Sequence, residues 1–281
     1  MKLLEVRELT KRYEAFTLDR VSFSLEEGYI MGFIGRNGAG KTTTLKSMLN
    51  LVHPDGGQVD MFGQNYLAHE FDCKQKVGFL LGGVDYYPKK KLKDIADVTK
   101  RFYTAWDDRV FAEYMDRFEL DKGKRVEQLS AGMRVKFGLA LALSHDARLL
   151  LLDEPTSGLD PVSRDEIVEL FQRIVEDGGH SILFSTHITS DLEKCADYIT
   201  YIRGGKLLMS TDKDSFLDAF RLVQGRKDQL TDGVRALLIG HKDHAFGFTG
   251  LIHSGDLQKC PELEAAPADL ESIMIYSDKE A

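Results

Sequence analysis

The stretch Gly35-Arg36-Asn37-Gly38-Ala39-Gly40-Lys41-Thr42-Thr43 has the residue types and spacing of a phosphate cradle, G-x-x-x-x-G-K-[ST]. Gly35, Gly38 and Gly40 permit backbone turns and close approach that a Cβ would block. Backbone N–H groups and the positive end of a following helix then converge on one anion. Lys41 supplies a mobile cation for terminal phosphates, and the Thr42 hydroxyl is a hard oxygen suited to Mg²⁺. Downstream, the apolar run Leu149 to Leu152 ends in two carboxylates, Asp153 and Glu154. Asp153 is placed to bind Mg²⁺, directly or through water. Glu154 is placed to take a proton from a water attacking a γ-phosphate. A third candidate is His187, just beyond the apolar run Ser181–Thr186, where an imidazole can hydrogen-bond the same phosphate. Tyr13 offers a ring that can stack on a base or simply cover a strand edge.

These groups need strands that end together. Residues 29–34 read as a buried strand, and Thr44 to Leu49 as a helix, so the cradle has the strand–loop–helix setting it requires. Leu149 to Leu152 and Ser181 to Thr186 are continuous apolar runs, the pattern of parallel strands buried on both faces, where ligands sit at the carboxyl ends. Further strands are expected at 2–8, 18–25, 58–62 and 77–81, with a hairpin over 198–209 turning at Arg203-Gly204-Gly205. From about residue 84 to 147 helical spacing takes over, at Leu92–Tyr103, Val110–Phe118 and Val135–Ser144. Trp106, between the first two, reads as a packing residue. Ser130 reads as a helix N-cap, with Ala131 and Gly132 leaving that helix start open. Asp160 caps and Pro161 opens a helix running to about Asp177. Beyond 213, Phe216, Leu217 and Phe220 suggest a short helix. Strands are expected at Val234–Ile239 and Phe246–Ile252, and loop at Pro261–Pro267. That tail shows no catalytic constellation.

The chain has 281 residues, 43% of them hydrophobic and 29% charged, ordinary values for a globular protein. A net charge of −8 weighs against nucleic acid as a partner. Lys89-Lys90-Lys91 with Lys93 is a basic run in this acidic chain, read as a solvated face or as a contact for an acidic loop or lipid headgroups. No apolar run reaches the roughly 18–20 residues of a bilayer span. Early charges argue against a secretion signal. A cytoplasmic protein is expected. Cys73, Cys195 and Cys260 are scattered and suggest neither disulfides nor a metal knuckle.

Taken in order, the motifs resemble those of the ATP-binding subunits of ABC transporters over about residues 1–212. Tyr13 matches the adenine-stacking loop, Gly35–Thr43 Walker A, Leu129–Met133 the signature and Leu149–Glu154 Walker B. Ser157–Asp160 matches the D-loop and His187 the switch histidine. The run Phe184–Asp191 and the aromatic segment Phe102–Asp108 look more like the bacterial exporter subfamily, which handles drugs, peptide antibiotics or cell-envelope material. The resemblance implies an α/β fold: a RecA-like P-loop NTPase core with an antiparallel β subdomain and an inserted α-helical subdomain. A small α+β C-terminal extension over 213–281 would complete it. It implies ATP and Mg²⁺ as ligands, and a homodimer or heterodimer in which Walker A of one subunit faces Ser130, Ala131 and Gly132 of the other. Asp160 would help across that dimer, and Lys41, Glu154 and His187 would carry hydrolysis. An integral-membrane permease would be the partner, with the subunit held peripherally at the inner face of the cell membrane.

Two departures stand out. Gly82 occupies the position where the family usually has a glutamine, so backbone, water or Asp85 must substitute, or coupling differs. The signature reads Leu129-Ser130-Ala131-Gly132-Met133, with Ala and Met in place of a Gly and a Gln. The rivals are a soluble ABC-type ATPase acting on ribosomes or DNA, a weakly hydrolysing regulatory module, and a P-loop kinase. The kinase leaves Ser130–Gly132 without a role.

Overall fold

The computed structural model describes residues 2–81 and 87–278. Gly82 and Asp85, and the departure argued from them, lie outside the described residues. The chain divides into two compact units, Met1–Met209 and Ser210–Ala281.

The first unit is built on a six-stranded sheet in the order β10-β9-β3-β8-β7-β6. Its strands are β3 (Ile30–Ile34), β6 (Val77–Leu81), β7 (Leu149–Asp153), β8 (Ser181–Thr186), β9 (Tyr198–Arg203) and β10 (Lys206–Asp212). Strands β9, β3, β8, β7 and β6 run parallel. Every residue of β3, β7 and β8 is buried, which is why these segments read as unbroken apolar runs rather than alternating ones. Helix α1 (Lys41–Met48) follows β3, and α6 (Pro161–Glu176) joins β7 to β8. Helix α7 (Thr189–Cys195) packs so closely on β3 that a Cβ on Gly32 would lie 2.3 Å from Leu192 Cδ2. Helix α5 (Ala131–Leu143) closes on β6 in the same manner: a Cβ on Gly138 would meet Leu80 Cδ2 at 2.6 Å.

A second, antiparallel sheet has the order β2-β1-β4-β5, from β1 (Lys2–Arg12), β2 (Thr17–Glu26), β4 (Gly56–Met61) and β5 (Gln64–Asn65). Its inner face shares one core with α1 and the six-stranded sheet, including Leu4, Val21, Phe33, Leu45, Met61 and Leu151. Irregular register in β1 coincides with Glu8 at φ 48°, and Ser22 Oγ accepts from the Glu8 N–H at 2.8 Å. Helix α2 (Glu70–Gln75), α3 (Leu92–Thr99) and α4 (Asp108–Arg117) complete the unit. The helical pattern over 92–103 stops early, at Thr99; past it, Thr104 donates its N–H to Gln75 Oε1 at 2.8 Å. Trp106 packs its ring against Phe111, centroids 5.4 Å apart, and donates Nε1–H to Asp108.

In the second unit, β11 (Phe220–Gly225), β12 (Leu238–His244), β13 (Gly247–His253) and β14 (Glu264–Pro267) form an antiparallel sheet in the order β12-β13-β11-β14. Helices α8 (Lys213–Asp218), α9 (Asp232–Arg235) and α10 (Leu270–Ser277) accompany it. Val223, Phe248, Ile252 and Cys260 make its core. Three expectations change here. Val234 belongs to α9, because the Thr231 hydroxyl caps that turn by accepting its N–H, so the strand begins only at Leu238. Phe220 opens β11 instead of continuing the helix. Residues 264–267 are an edge strand paired with β11, all four exposed, so no apolar alternation marks them.

Gly205, between β9 and β10, joins the hairpin to the phosphate loop. Its N–H donates to Ala39 O at 2.9 Å, and its carbonyl accepts from Asp19 N at 2.8 Å. At φ 77°, a Cβ there would lie 1.8 Å from Thr17 O. Gly205→Ala is expected to cost roughly 2–3 kcal/mol in strain and to lower Tm by roughly 5–10 °C; differential scanning calorimetry of the full chain measures this.

Candidate functional site

The carboxyl ends of β3, β7 and β8 lie side by side because the strands are in register, Ile34 beside Thr186 and Asp153 beside Ser185. Each end delivers one part of the site: the loop 35–40 and α1 after β3, Asp153 and Glu154 at the end of β7, and His187 after β8. Among the described residues they surround a cleft of about 750 Å³. Tyr13, Arg36, Asn37, Gly38, Gly40, Lys41, Thr42, Thr43, Glu154 and His187 line it.

Lys41 is the centre of the polar network. The residue is 5% exposed, and its ammonium donates to Gly35 O at 2.7 Å and to Arg36 O at 3.4 Å. A third partner is Glu154 Oε1 at 3.1 Å. Three donors thus meet three oxygens, as a cation withdrawn from water requires. The other Glu154 oxygen, Oε2, is 2.8 Å from His187 Nδ1. Glu154 itself sits at φ 49°, a left-handed conformation uncommon outside glycine and asparagine and typical of functional turns. Two bonds to β8 hold it there: its N–H lies 3.1 Å from Ser185 O and 3.0 Å from Ser185 Oγ.

Beneath Glu154, Asp153 is 5% exposed, and both its carboxylate oxygens are engaged. Thr42 Oγ1 donates to Oδ2 at 2.8 Å, and Ser185 Oγ donates to Oδ1 at 2.6 Å. A hydroxyl and a carboxylate in contact supply the hard oxygens that Mg²⁺ takes, and a cation between them would replace one hydrogen bond. This pair fits Mg²⁺ and leaves further positions for water and phosphate.

Gly35 and Ala39 underlie the cleft without lining it. Gly35 has φ 158°, and a Cβ on it would press to 2.4 Å from Ile202 O. At the opposite end, Tyr13 is 47% exposed and packs beside Phe16, ring centroids 6.4 Å apart. The Tyr13 N–H donates to Phe16 O at 2.8 Å, turning both rings to one side. Phe16, Ala15 and Ser157 also line the cleft. Ala15 and Phe16 were not evident in the sequence; the signal was an aromatic three positions after Tyr13, in a short turn between strands.

Ser130, Ala131, Gly132 and Asp160 are not among the lining residues. Ser130 Oγ accepts from Met133 N at 3.2 Å and caps α5. Asp160 Oδ1 accepts from Val162 N and Ser163 N, both at 3.0 Å, and caps α6. Bonds from Ser163 and the α6 N–H groups hold the Asp160 carboxyl below its ordinary pKa. Both caps are solvent-facing within a single chain.

No helix among the described residues is long and apolar enough to cross a membrane. The ABC transporter family model matches residues 18–157, spanning the loop, the signature position and both carboxylates. The bacitracin transport ATP-binding protein BcrA of Bacillus licheniformis is 32% identical over 209 residues, 73% of this chain and 68% of that protein. The ABC transporter ATP-binding protein YtrB of Bacillus subtilis is 30% identical over 284 aligned residues, 97% of each chain. Among solved structures, an ATP-binding subunit of an ABC transporter superposes with TM-score 0.68 at 24% identity, covering 76% of this chain and 91% of that one. A dimeric, post-hydrolysis ATP-binding cassette bound to ADP and Pi superposes with TM-score 0.66 at 21% identity, covering 74% of this chain and 98% of that one. Sequence motifs, parallel-sheet fold and relatives agree: the chain belongs to the ABC transporter family, as one of its ATP-binding ATPase subunits.

Proposed function

We propose that the subunit hydrolyses MgATP in the cleft between the phosphate loop and Glu154, and that this cycle drives export through a separate membrane permease. The observation that carries the reading is the Lys41–Glu154–His187 network at the mouth of the phosphate loop. Three groups are joined there that the chemistry needs apart: a cation for the γ-phosphate, a base for water, and an imidazole for the same phosphate.

The phosphates of ATP would occupy the loop 35–43 against its N–H groups, and the adenine would stack on Tyr13, with Phe16 behind it. A phosphate oxygen reaching Lys41 competes directly with Glu154 Oε1. Arrival of nucleotide therefore frees the carboxylate from its ion pair, and Glu154 turns to a water in line with the γ-phosphate and accepts its proton. Lys41 and the loop N–H groups carry the charge that develops on the phosphoryl oxygens. His187, released by the same exchange, holds the γ-phosphate. Thr42 and Asp153 would hold Mg²⁺, which supplies neutralisation of the β- and γ-phosphate oxygens. Ser185 acts one step back, aiming the Asp153 carboxylate and the Glu154 backbone together.

Two subunits, alike or different, would close on two ATP molecules. The start of α5 at Ser130, Ala131 and Gly132, and Asp160 before α6, would then face a neighbour's γ-phosphate. Supporting this is their placement: Ser130, Ala131 and Asp160 lie exposed at helix starts, and Ser130 and Asp160 serve only as caps in one chain. The subunit would work peripherally at the inner face of the membrane. Relatives named for bacitracin and lantibiotic transport favour export of peptide antibiotics or envelope material.

Two outcomes are expected. Glu154→Gln should lower kcat for ATP hydrolysis by on the order of 10²–10⁴-fold while ATP Kd changes little and ATP-dependent dimerisation persists, read by phosphate release and size-exclusion chromatography. Ser185→Ala should raise the Mg²⁺ concentration for half-maximal activity by about 10-fold or more. Nucleotide binding in the absence of Mg²⁺ should stay near the parental value, and an unchanged Mg²⁺ profile would remove Ser185 from its positioning role.

A further inference from the structure

Asp191 is a buried carboxylate to which the chemistry proposed above gives no task. It stands in α7, four positions after His187, and is 3% exposed. Its Oδ1 lies 3.3 Å from Arg164 Nε on α6. Its Oδ2 is buried and closes no hydrogen bond among the described residues, and the hydroxyl of the fully buried Thr156 is in the same condition. The two groups are neighbours. Burial pushes the Asp191 carboxyl above the usual aspartate range, and the nearby Thr156 hydroxyl, then Arg164, pull it back. Buried polar groups are bonded in almost all native structures, so a carboxylate oxygen and a hydroxyl left open beside one another need a reason.

What the carboxylate joins supplies one. Thr156 follows Glu154 by two residues, and Arg164 follows Asp160 by four. Asp191 thus reaches both ends of the loop 155–160 from the helix that His187 precedes. Within that loop the backbone turns on itself: Ser157 N donates to Glu154 O at 3.2 Å, and Leu159 N to Thr156 O at 3.3 Å. At its far end Arg164 N donates to Asp160 O at 2.9 Å. Two further contacts tie α6 to α7 at the surface. Lys194 pairs with Asp165, and Gln172 Nε2 donates to Lys194 O at 3.1 Å. Exposed contacts of that kind hold weakly, whereas a carboxylate withdrawn from water loses heavily when it is parted from its cation.

We propose that Asp191 is a positioning residue for ATP hydrolysis: it makes His187 and the loop 155–160 shift as one piece, so that a γ-phosphate held by His187 sets where Asp160 stands at the face offered to a second subunit. The inference rests on the nucleotide site and the paired subunits given above. The Arg164 pair holds one end of the loop to α7 at all times. The open pair, Asp191 Oδ2 and the Thr156 hydroxyl, supplies the switch. Closing one hydrogen bond between two buried groups favours the nucleotide-bound arrangement over the empty one, which is the differential contact that a ligand-driven shift requires. A merely structural anchor would have both of its partners closed already.

The test uses the full chain carrying Glu154→Gln, with MgATP as the probe and dimerisation read by analytical ultracentrifugation. Thr156→Val exchanges an unbonded buried hydroxyl for a methyl, so the fold is kept. Asp191→Asn keeps the side-chain shape and loses the charge. Each is expected to weaken ATP-dependent dimerisation by about fivefold or more, while the Kd of the single chain for ATP stays at the parental value. The double variant should dimerise no more weakly than Asp191→Asn alone, because both changes break one contact. Lys194→Gln, which removes the exposed pair between the same two helices, should dimerise as the Glu154→Gln chain does. The proposal is overturned if Thr156→Val leaves dimerisation unchanged, if the two effects add in full, or if Lys194→Gln weakens dimerisation as much as Asp191→Asn. A variant that loses ATP binding itself also overturns it, since Asp191 would then serve the shape of the cleft. A Glu154→Gln chain that binds ATP and stays monomeric sinks the paired-subunit reading and the proposal together; one that pairs, with variants that pair equally well, sinks the proposal alone.

Discussion

A lysine ammonium taken out of water has to be met by oxygen atoms, and in this protein that requirement organises the site. Lys41 is 5% exposed, yet it begins a helix and points back into the loop that precedes it. The loop satisfies it with two carbonyls, from Gly35 and Arg36, only because Gly35 can approach the β9 strand where a Cβ would collide with Ile202 O. The third acceptor, Glu154, comes from a different strand. The ion pair therefore ties the loop after β3 to the end of β7 across the cleft. A partly buried pair of this kind is a poor source of stability, since desolvation offsets most of the Coulomb attraction.

The two strands meet correctly because β8 lies between them. Ser185 fixes the carboxyl end of the neighbouring strand: its hydroxyl donates to Asp153, and both its oxygens lie within reach of the Glu154 N–H. A residue buried this deeply next to a pair of carboxylates reads in sequence as one more small polar position in a strand. Nothing in the pattern Ser181–Thr186 separates Ser185 from Ser181, which instead accepts from Gly28 N at the other end of the strand. Register decides the difference, and register is a property of three strands together.

The same physics separates what was legible from what was not. Strands buried on both faces have no choice but apolar runs, so β3, β7 and β8 were legible almost to the residue, and the glycine loop marked its own strand–helix context. Helix starts were equally clear where a side chain caps them, at Ser130 and Asp160. The second unit gave a weaker signal because its strands are short and mixed in burial and its edge strand β14 has no buried residue. Helix α7 was missed for another reason: it is short, it lacks a side-chain cap, and it is fixed by Leu192 meeting Gly32 on a distant strand.

The signature departure follows from the geometry of a cap. Ser130 bonds the backbone N–H of Met133, not its side chain, so the residue type at 133 does not enter the cap. Position 131 is exposed, and an alanine methyl adds little bulk there. Position 132 is buried against α6, where a Cβ would meet Ser163 at 3.5 Å, an ordinary contact that a methyl would tolerate but a longer side chain would not. What the motif preserves is therefore a helix start whose first N–H groups stay open to an approaching anion, and Ala131 and Met133 leave that intact. That open start suits the proposed approach of a neighbouring subunit's phosphate.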